Sequence, residues 1–254
     1  MPASPWPFLD FPGPLAFAHR GGAGAWPENT LPAFENAVSL GYRYVETDVH
    51  ATADGVLVAF HDASLDRVTD RTGKIAELPW SSVSEARVDG REPIPRLDDL
   101  LAAWPDLRFN LDAKDERAVG PLVEVVRRTA SVERVCVGSF SGRRVAEVRS
   151  RLPGVCTSSG PLGVGLLLLA SLGLPLGPGA AACAQVPARK GPVPVTTRRL
   201  VDAAHRRGLQ VHVWTIDDPV EMNRLLDLGV DGLMTDLPAV LKDVLVARGQ
   251  WGGA

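Results

Sequence analysis

The chain predicts an α/β fold of the (β/α)8 TIM-barrel type, and three observations lead there. Short apolar, β-branched runs alternate with stretches of helical periodicity, the pattern of a parallel sheet with helices outside it. Nine such runs occur, but Asp54-Gly55 is a strong hairpin turn signal. The third run therefore folds back antiparallel on the second, and eight parallel strands remain. The 254 residues are also the length such a barrel typically needs. An open doubly wound sheet is the runner-up. It would want a glycine-rich phosphate loop after an early strand, and neither G-x-G-x-x-G nor a Walker-type loop is present.

Taken in order, Leu15–His19 opens the barrel and runs into His19-Arg20-Gly21-Gly22. Leu31, Phe34 and Val38 mark a helix that ends at Gly41, with Asn29 and Thr30 as cap candidates and Pro32 in its first turn. Tyr44–His50 is the second barrel strand and Val56–His61 its hairpin partner. Residues 62–95 carry no clear strand and read as a small insertion within a single domain spanning 1–254. Leu97, Leu100, Leu101 and Trp104 then give a helix closed by Pro105. Strands follow at Arg108–Ala113, Arg134–Ser139, Val155–Ser158 and Ala182–Val186. Leu200, Ala203 and Ala204 form a helix ending at Gly208, before the strand Leu209–Trp214. Met222, Leu225 and Leu226 form another, ending at Gly229, before the last strand, Gly232–Thr235.

Composition excludes several classes. With 27 basic against 30 acidic residues the net charge is −3, so nothing drives a phosphate-backbone interface and no nucleic-acid partner is expected. Cys136, Cys156 and Cys183 lie far apart in apolar runs without metal-ligand spacing, and an odd count argues against a disulfide scaffold. The first residues lack the basic and apolar regions of a signal peptide, which leads us to expect a cytoplasmic protein. No charge occurs between Arg151 and Arg189, and Leu162–Leu176 is almost wholly apolar. Its glycines and prolines break any spanning helix, so a short buried helix, or a homo-oligomer contact, is expected in preference to membrane contact.

In a barrel, function gathers at the C-terminal ends of the strands. Those ends read His19-Arg20-Gly21-Gly22, Glu46-x-Asp48, Asp112-x-Lys114 and Trp214-Thr215, with His61-Asp62 at the foot of the hairpin. Strand alternation puts Glu46 and Asp48 on one face, and Asp112 and Lys114 likewise. Each piece has a bland explanation alone: a surface ion pair, a core histidine, a turn brace. Four such loci on one rim do not. Clustered carboxylates repel unless compensated, and all-oxygen ligands favour Mg²⁺ or Ca²⁺ over zinc. Two histidines beside a metal and two fixed cations supply what phosphodiester cleavage needs, charge neutralisation with an acid and a base.

His19-Arg20-Gly21, Pro27-Glu28-Asn29-Thr30, Glu46-x-Asp48-x-x-x-Thr52-x-Asp54-Gly55, Val58-x-x-His61-Asp62 and Val213-Trp214-Thr215 together resemble the signature of the glycerophosphodiester phosphodiesterase family. The likeness extends to Leu65-Asp66-Arg67-x-Thr69 and the closing Gly229-Val230-Asp231-Gly232-x-x-Thr235-Asp236. It implies a divalent-metal barrel that hydrolyses glycerophosphodiesters, small molecules, to glycerol 3-phosphate and an alcohol. It further implies His19 and His61 as the acid–base pair, Glu46, Asp48 and Asp112 as metal ligands, and Arg20, Lys114 and Trp214 as the substrate and phosphate grip. Asp112 stands where the family often has glutamate, and Asp217 where an asparagine is expected. Two other functions stay open: a lysophospholipase D or cyclising phosphodiesterase using an apolar surface beside the site, and a non-catalytic phosphodiester-binding barrel. Among the remaining histidines, His212 is expected one layer deeper than Trp214, His50 on the hairpin rim, and His205 solvated on a helix.

Overall fold

The computed structural model describes residues 5–175, 177 and 179–252, so Leu176, Pro178 and the chain ends fall outside the description. Its elements run β1 (Leu15–Ala18), α1 (Leu31–Ser39), β2 (Tyr44–Ala51), β3 (Leu57–Ala59), α2 (Trp80–Val83), β4 (Arg87–Val88), β5 (Glu92–Pro93) and α3 (Leu97–Ala103). There follow β6 (Arg108–Ala113), α4 (Glu116–Arg128), β7 (Val135–Gly138), α5 (Gly142–Arg151), β8 (Cys156–Thr157), α6 (Pro161–Ser171) and β9 (Cys183–Pro187). The last third holds β10 (Arg189–Lys190), β11 (Val193–Pro194), α7 (Arg198–His205), β12 (Gln210–Trp214), α8 (Pro219–Asp227), β13 (Gly232–Thr235) and α9 (Pro238–Ala247).

Eight of these strands form the barrel, in the order β8-β7-β6-β2-β1-β13-β12-β9. All their pairings are parallel, and a parallel bridge between Ser158 and Cys183 joins the two ends. The hairpin arm behaves as its turn predicts: β3 pairs antiparallel with β2, Val49 opposite Ala59. Gly55 takes φ +82° in that turn, where Thr52 donates to the Asp54 carboxylate at 2.6 Å.

Two apolar layers follow from strand alternation. Outward residues such as Val45, Val49, Phe109, Leu111 and Val137 pack against the helices. Inward residues fill the barrel's lower half with Leu15, Phe17 and Tyr44, capped from below by Phe8 and Leu9. Phe8 and Phe17 lie 5.3 and 5.1 Å from the Tyr44 ring, both edge-on, and the Tyr44 hydroxyl donates to Phe8 O at 2.8 Å. The upper half is polar and forms the site.

Several sequence expectations need correction. The insertion over 62–95 has its own small core of Leu65, Ile75, Val83, Val88 and Ile94, and it does contain a ladder, β4 with β5. Two-residue strands are too short to show alternation. The hairpin β10–β11 was likewise not foreseen. Thr30 occupies the N-cap position of α1 but does not cap it; its hydroxyl donates to Pro27 O at 2.7 Å, while Asn29 turns left-handed at φ 58°. The cysteines, remote in sequence, lie side by side on neighbouring barrel strands. Finally, α6 is a helix but not a buried one: Leu167 and Ala170 are covered, whereas Leu162 and Leu169 are 77% and 44% exposed. Lacking any polar face, it cannot bury every side and still lie outside a barrel. Among the described residues no helix is long and apolar enough to cross a membrane.

Candidate active site

The site is a cavity of about 570 Å³ at the C-terminal end of the barrel, and all eight residues expected in it line it. His19 enters from β1 through a tight 3₁₀ turn, His19–Gly21, in which Arg20 has φ 51°. Gly22 follows at φ +102°, and a Cβ there would lie 2.7 Å from Pro238 Cγ, so only glycine allows this close approach. The turn delivers His19 Nδ1 to within 2.7 Å of Asp236 Oδ1 and Nε2 to 3.8 Å from Glu46 Oε2. Burial pulls the imidazole pKa down, but Glu46 and Asp236 outweigh it and leave His19 above its ordinary value.

Glu46 and Asp48 come from β2, where they share a face, and Asp112 faces Asp48 across the β2–β6 ladder. Lys114 lies between the two aspartates, 2.7 Å from Asp48 Oδ1 and 2.8 Å from Asp112 Oδ2. Burial, with Asp48 as neighbour, lifts Glu46 to about 7. Burial also raises Asp112, although Lys114 pulls the other way. Burial alone would lower Lys114; Asp48 and Asp112 reverse that and hold it firmly protonated. Arg20 closes the cluster, with Nε 3.3 Å from Asp48 Oδ2 and Nη1 3.2 Å from Glu28 Oε1.

His61 stands at the foot of the hairpin, its Nδ1 2.6 Å from Asp62 Oδ1. The other Asp62 oxygen accepts from Arg67 Nε, and this hydrogen bond holds the Asp62 carboxyl down at about 2. Arg67 also donates to Glu28 Oε1 at 2.7 Å, so the insertion is tied through Glu28 to Arg20. His50 holds the hairpin from beneath, with Nδ1 3.0 Å from Asp115 Oδ2 and Nε2 3.1 Å from His61 O. Both of its nitrogens are engaged, and it does not line the cavity.

Beyond the charged end the cavity continues between Phe140, Val164, Leu168, Val195 and Trp214, an apolar wall contributed largely by α6 and the loops around it. Phe140 stacks edge-on against Trp214 at 5.9 Å. His212 is buried one layer below Trp214, against Phe17 at 5.1 Å, as alternation required. His205 is exposed on α7, as expected, and its Nε2 also lies 2.8 Å from Asp231 Oδ2.

Three of the carboxylates fit a hard cation. Asp112 Oδ1 is a buried oxygen without a hydrogen-bond donor, Asp48 Oδ2 has the Arg20 ion pair but no hydrogen bond, and Glu46 resists ionisation beside them. Orphaned buried acceptors are costly and rare, and oxygen-seeking divalent ions satisfy them. Sequence reasoning quoted Asp62 and Asp236 in motifs but gave neither a role; each orients a histidine. Asp217 needs only acceptor capacity, because its Oδ1 takes hydrogen bonds from Thr235 Oγ1 and Asp236 N, both at 2.8 Å. An aspartate therefore serves as well there as an asparagine.

Comparison with known proteins points to one family. Residues 19–240 match the model of the glycerophosphoryl diester phosphodiesterase family. The chain is 43% identical, over 97% of its length and 96% of the relative's, to a probable glycerophosphodiester phosphodiesterase 2 of Mycobacterium tuberculosis. It is 27% identical, over 90% of its length and 85% of the relative's, to a lysophospholipase D of Mus musculus. Among solved structures, a putative glycerophosphoryl diester phosphodiesterase from Silicibacter pomeroyi superposes with a TM-score of 0.78 at 25% identity, covering 94% of this chain and 95% of that one.

Proposed function

The chain belongs to the glycerophosphoryl diester phosphodiesterase family, and on that premise we propose that it hydrolyses glycerophosphodiesters to glycerol 3-phosphate and an alcohol. One observation carries the reading. Two histidines, each held through Nδ1 by a carboxylate, face one cavity that also contains Arg20, Lys114 and three further carboxylates.

An aspartate accepts the Nδ1 proton of each ring, so Nε2 is left to exchange protons with substrate. When neutral, such a ring is a base at Nε2; when protonated, it is an acid at the same atom. One histidine takes the proton of the attacking hydroxyl while the other delivers a proton to the departing alcohol oxygen. His19, raised by Glu46 and Asp236, is favoured in its protonated form, the form that can deliver a proton. Arg20 and Lys114 hold the phosphate against the carboxylate cluster, whose negative charge would otherwise repel it. Glu46, Asp48 and Asp112 would hold one divalent cation, Mg²⁺ or Ca²⁺, whose chemistry when bound is to neutralise charge on the phosphate oxygens.

The apolar wall favours a second reading, in which the substrate is a lysophospholipid whose chain lies along Phe140, Val164 and Leu168. A short glycerophosphodiester does not need that wall. Assaying purified protein against a matched pair, a glycerophosphodiester and its acylated counterpart, with chelator and metal add-back, separates the two. Turnover of neither substrate in any metal would overturn both.

A further inference from the structure

Cys136, Cys156 and Cys183 occupy consecutive barrel strands, β7, β8 and β9. They are 0%, 2% and 0% exposed and face inward, each two residues below a floor residue of the cavity, Gly138, Ser158 and Gln185. The strand register brings Cys136 level with Cys156, and the bridge closing the barrel carries Cys183 alongside. Their sulfurs all lie within 4.8 Å of one another, with Cys136 Sγ and Cys183 Sγ 4.0 Å apart. Thiolates around a tetrahedral zinc, with Zn–S about 2.3 Å, stand about 3.8 Å from one another. The Cys136–Cys183 pair is therefore open by only a few tenths of an ångström from that geometry.

A second observation points to the same place. His212 lies on β12, the strand paired with β9, and is fully buried. Its Nε2 is taken by Gln210 Oε1 at 3.1 Å, whereas Nδ1 is a buried nitrogen with no partner. His212 is also a neighbour of Cys183 on the adjoining strand. A protein interior rarely leaves such a nitrogen unsatisfied. An imidazole whose far nitrogen is fixed by a side-chain acceptor is the usual state of a metal-bound histidine.

We propose that Cys136, Cys156 and Cys183 form a thiophilic metal site for Zn²⁺, built into the barrel wall beneath the active-site floor, and that His212, outside the present sulfur cluster, completes it by moving its Nδ1 toward the ion. It is separate from the oxygen-ligand cluster above and opposite in chemistry, soft where that one is hard. Binding replaces the thiol protons by metal–sulfur bonds and releases them to solvent, and Nδ1 of neutral His212 donates its lone pair as the fourth ligand. With four protein ligands and no open position, the ion is structural. It would fasten β7, β8 and β9 where the barrel closes through the single Ser158–Cys183 bridge.

The test is metal content and spectroscopy on the whole protein, produced in zinc-supplemented medium and gel-filtered in metal-free buffer. Wild-type protein is expected to retain one equivalent of zinc, released on titrating the thiols with a mercurial. Refolding with Co²⁺ alone should give the intense near-ultraviolet thiolate-to-cobalt band and tetrahedral visible absorption. C183S and C156S should lose the zinc and that band; H212Q should bind more weakly and shift the visible absorption. D48N, in the oxygen cluster, should keep both. Zinc-free wild-type protein with no cobalt–thiolate band, or equal zinc in C183S and wild type, would overturn the proposal. So would a disulfide between any two of the three cysteines in freshly purified protein. Circular dichroism of the serine variants separates loss of ligand from loss of fold, and the cobalt spectrum of H212Q needs no cysteine change.

Discussion

Replacing Asp62 by asparagine should disable His61 by turning its tautomer rather than by removing a contact. In the native site one Asp62 oxygen accepts from His61 Nδ1 at 2.6 Å and the other accepts from Arg67 Nε. An asparagine has one acceptor and one donor end. Arginine can only donate, so the amide oxygen must turn to Arg67, which leaves the NH₂ facing His61 Nδ1. Nδ1 then has to accept, the ring proton moves to Nε2, and the atom that should exchange protons with substrate is of the wrong kind. Loss of one acid–base group is worth about 10²–10⁴ in rate. D62N should therefore lose about that much in kcat with little change in KM. The partners are a quarter to a half exposed, so the direct ion-pair energy is small and stability should fall by less than about 1 kcal/mol. The same geometry predicts a rescue. In D62N/R67A the amide is free to rotate its oxygen toward His61, and part of the lost rate should return although a second group has been removed. Initial rates on a glycerophosphodiester, with ¹⁵N–¹H correlation of the His61 imidazole, read both effects. Wild-type kcat in D62N, or an unchanged Nδ1–H tautomer, would refute the reasoning.

Other expectations follow from the same structure. His205 is raised above its ordinary value chiefly by its hydrogen bond to Asp231, so its contribution to stability is full below about pH 6.5 and is lost as pH rises through the folded value. His205→Gln should flatten that limb of the Tm–pH curve by less than about 1 kcal/mol, the pair being partly solvent-screened. Gly22→Ala forces a Cβ to 2.7 Å from Pro238 at φ +102° and should cost more than about 1 kcal/mol in urea unfolding while lowering kcat, since the His19 turn must shift. Leu162→Ser, at a side chain 77% exposed, should change stability by no more than about 0.5 kcal/mol. Leu168→Ser, in the cavity wall, should raise KM for a lysolipid and leave that for a short glycerophosphodiester unchanged, as followed by initial rates.

The barrel was legible because short, mostly apolar runs alternate with helical periodicity, and the hairpin because of Asp54-Gly55. The rim was legible because alternation puts Glu46 with Asp48, and Asp112 with Lys114, on shared faces at strand ends. What remained hidden depends on closure. His19 and Asp236 are 217 positions apart and meet only because β1 lies beside β13. The three cysteines converge through the stagger of β7, β8 and β9, which no local spacing encodes. The exposure of α6 escaped for a different reason: a helix apolar on every face carries no periodic signal of which side is covered. The short ladders β4–β5 and β10–β11 are set by turns, at Asp89-Gly90 and Gly191-Pro192, and have no strand pattern of their own.

The central claim is that His19 and His61, with a cation held by Glu46, Asp48 and Asp112, cleave a glycerophosphodiester on the alcohol side. Phosphorus NMR of purified protein turning over one such diester reads it directly, run with and without chelator and repeated with His19→Ala and His61→Ala. The account predicts that the diester resonance gives way to glycerol 3-phosphate in the presence of Mg²⁺ or Ca²⁺. It predicts no conversion after chelation, and a loss of about 10²–10⁴ in rate in each histidine variant. Release of free glycerol with the phosphate left on the alcohol, or undiminished conversion in chelator or in either variant, would contradict it.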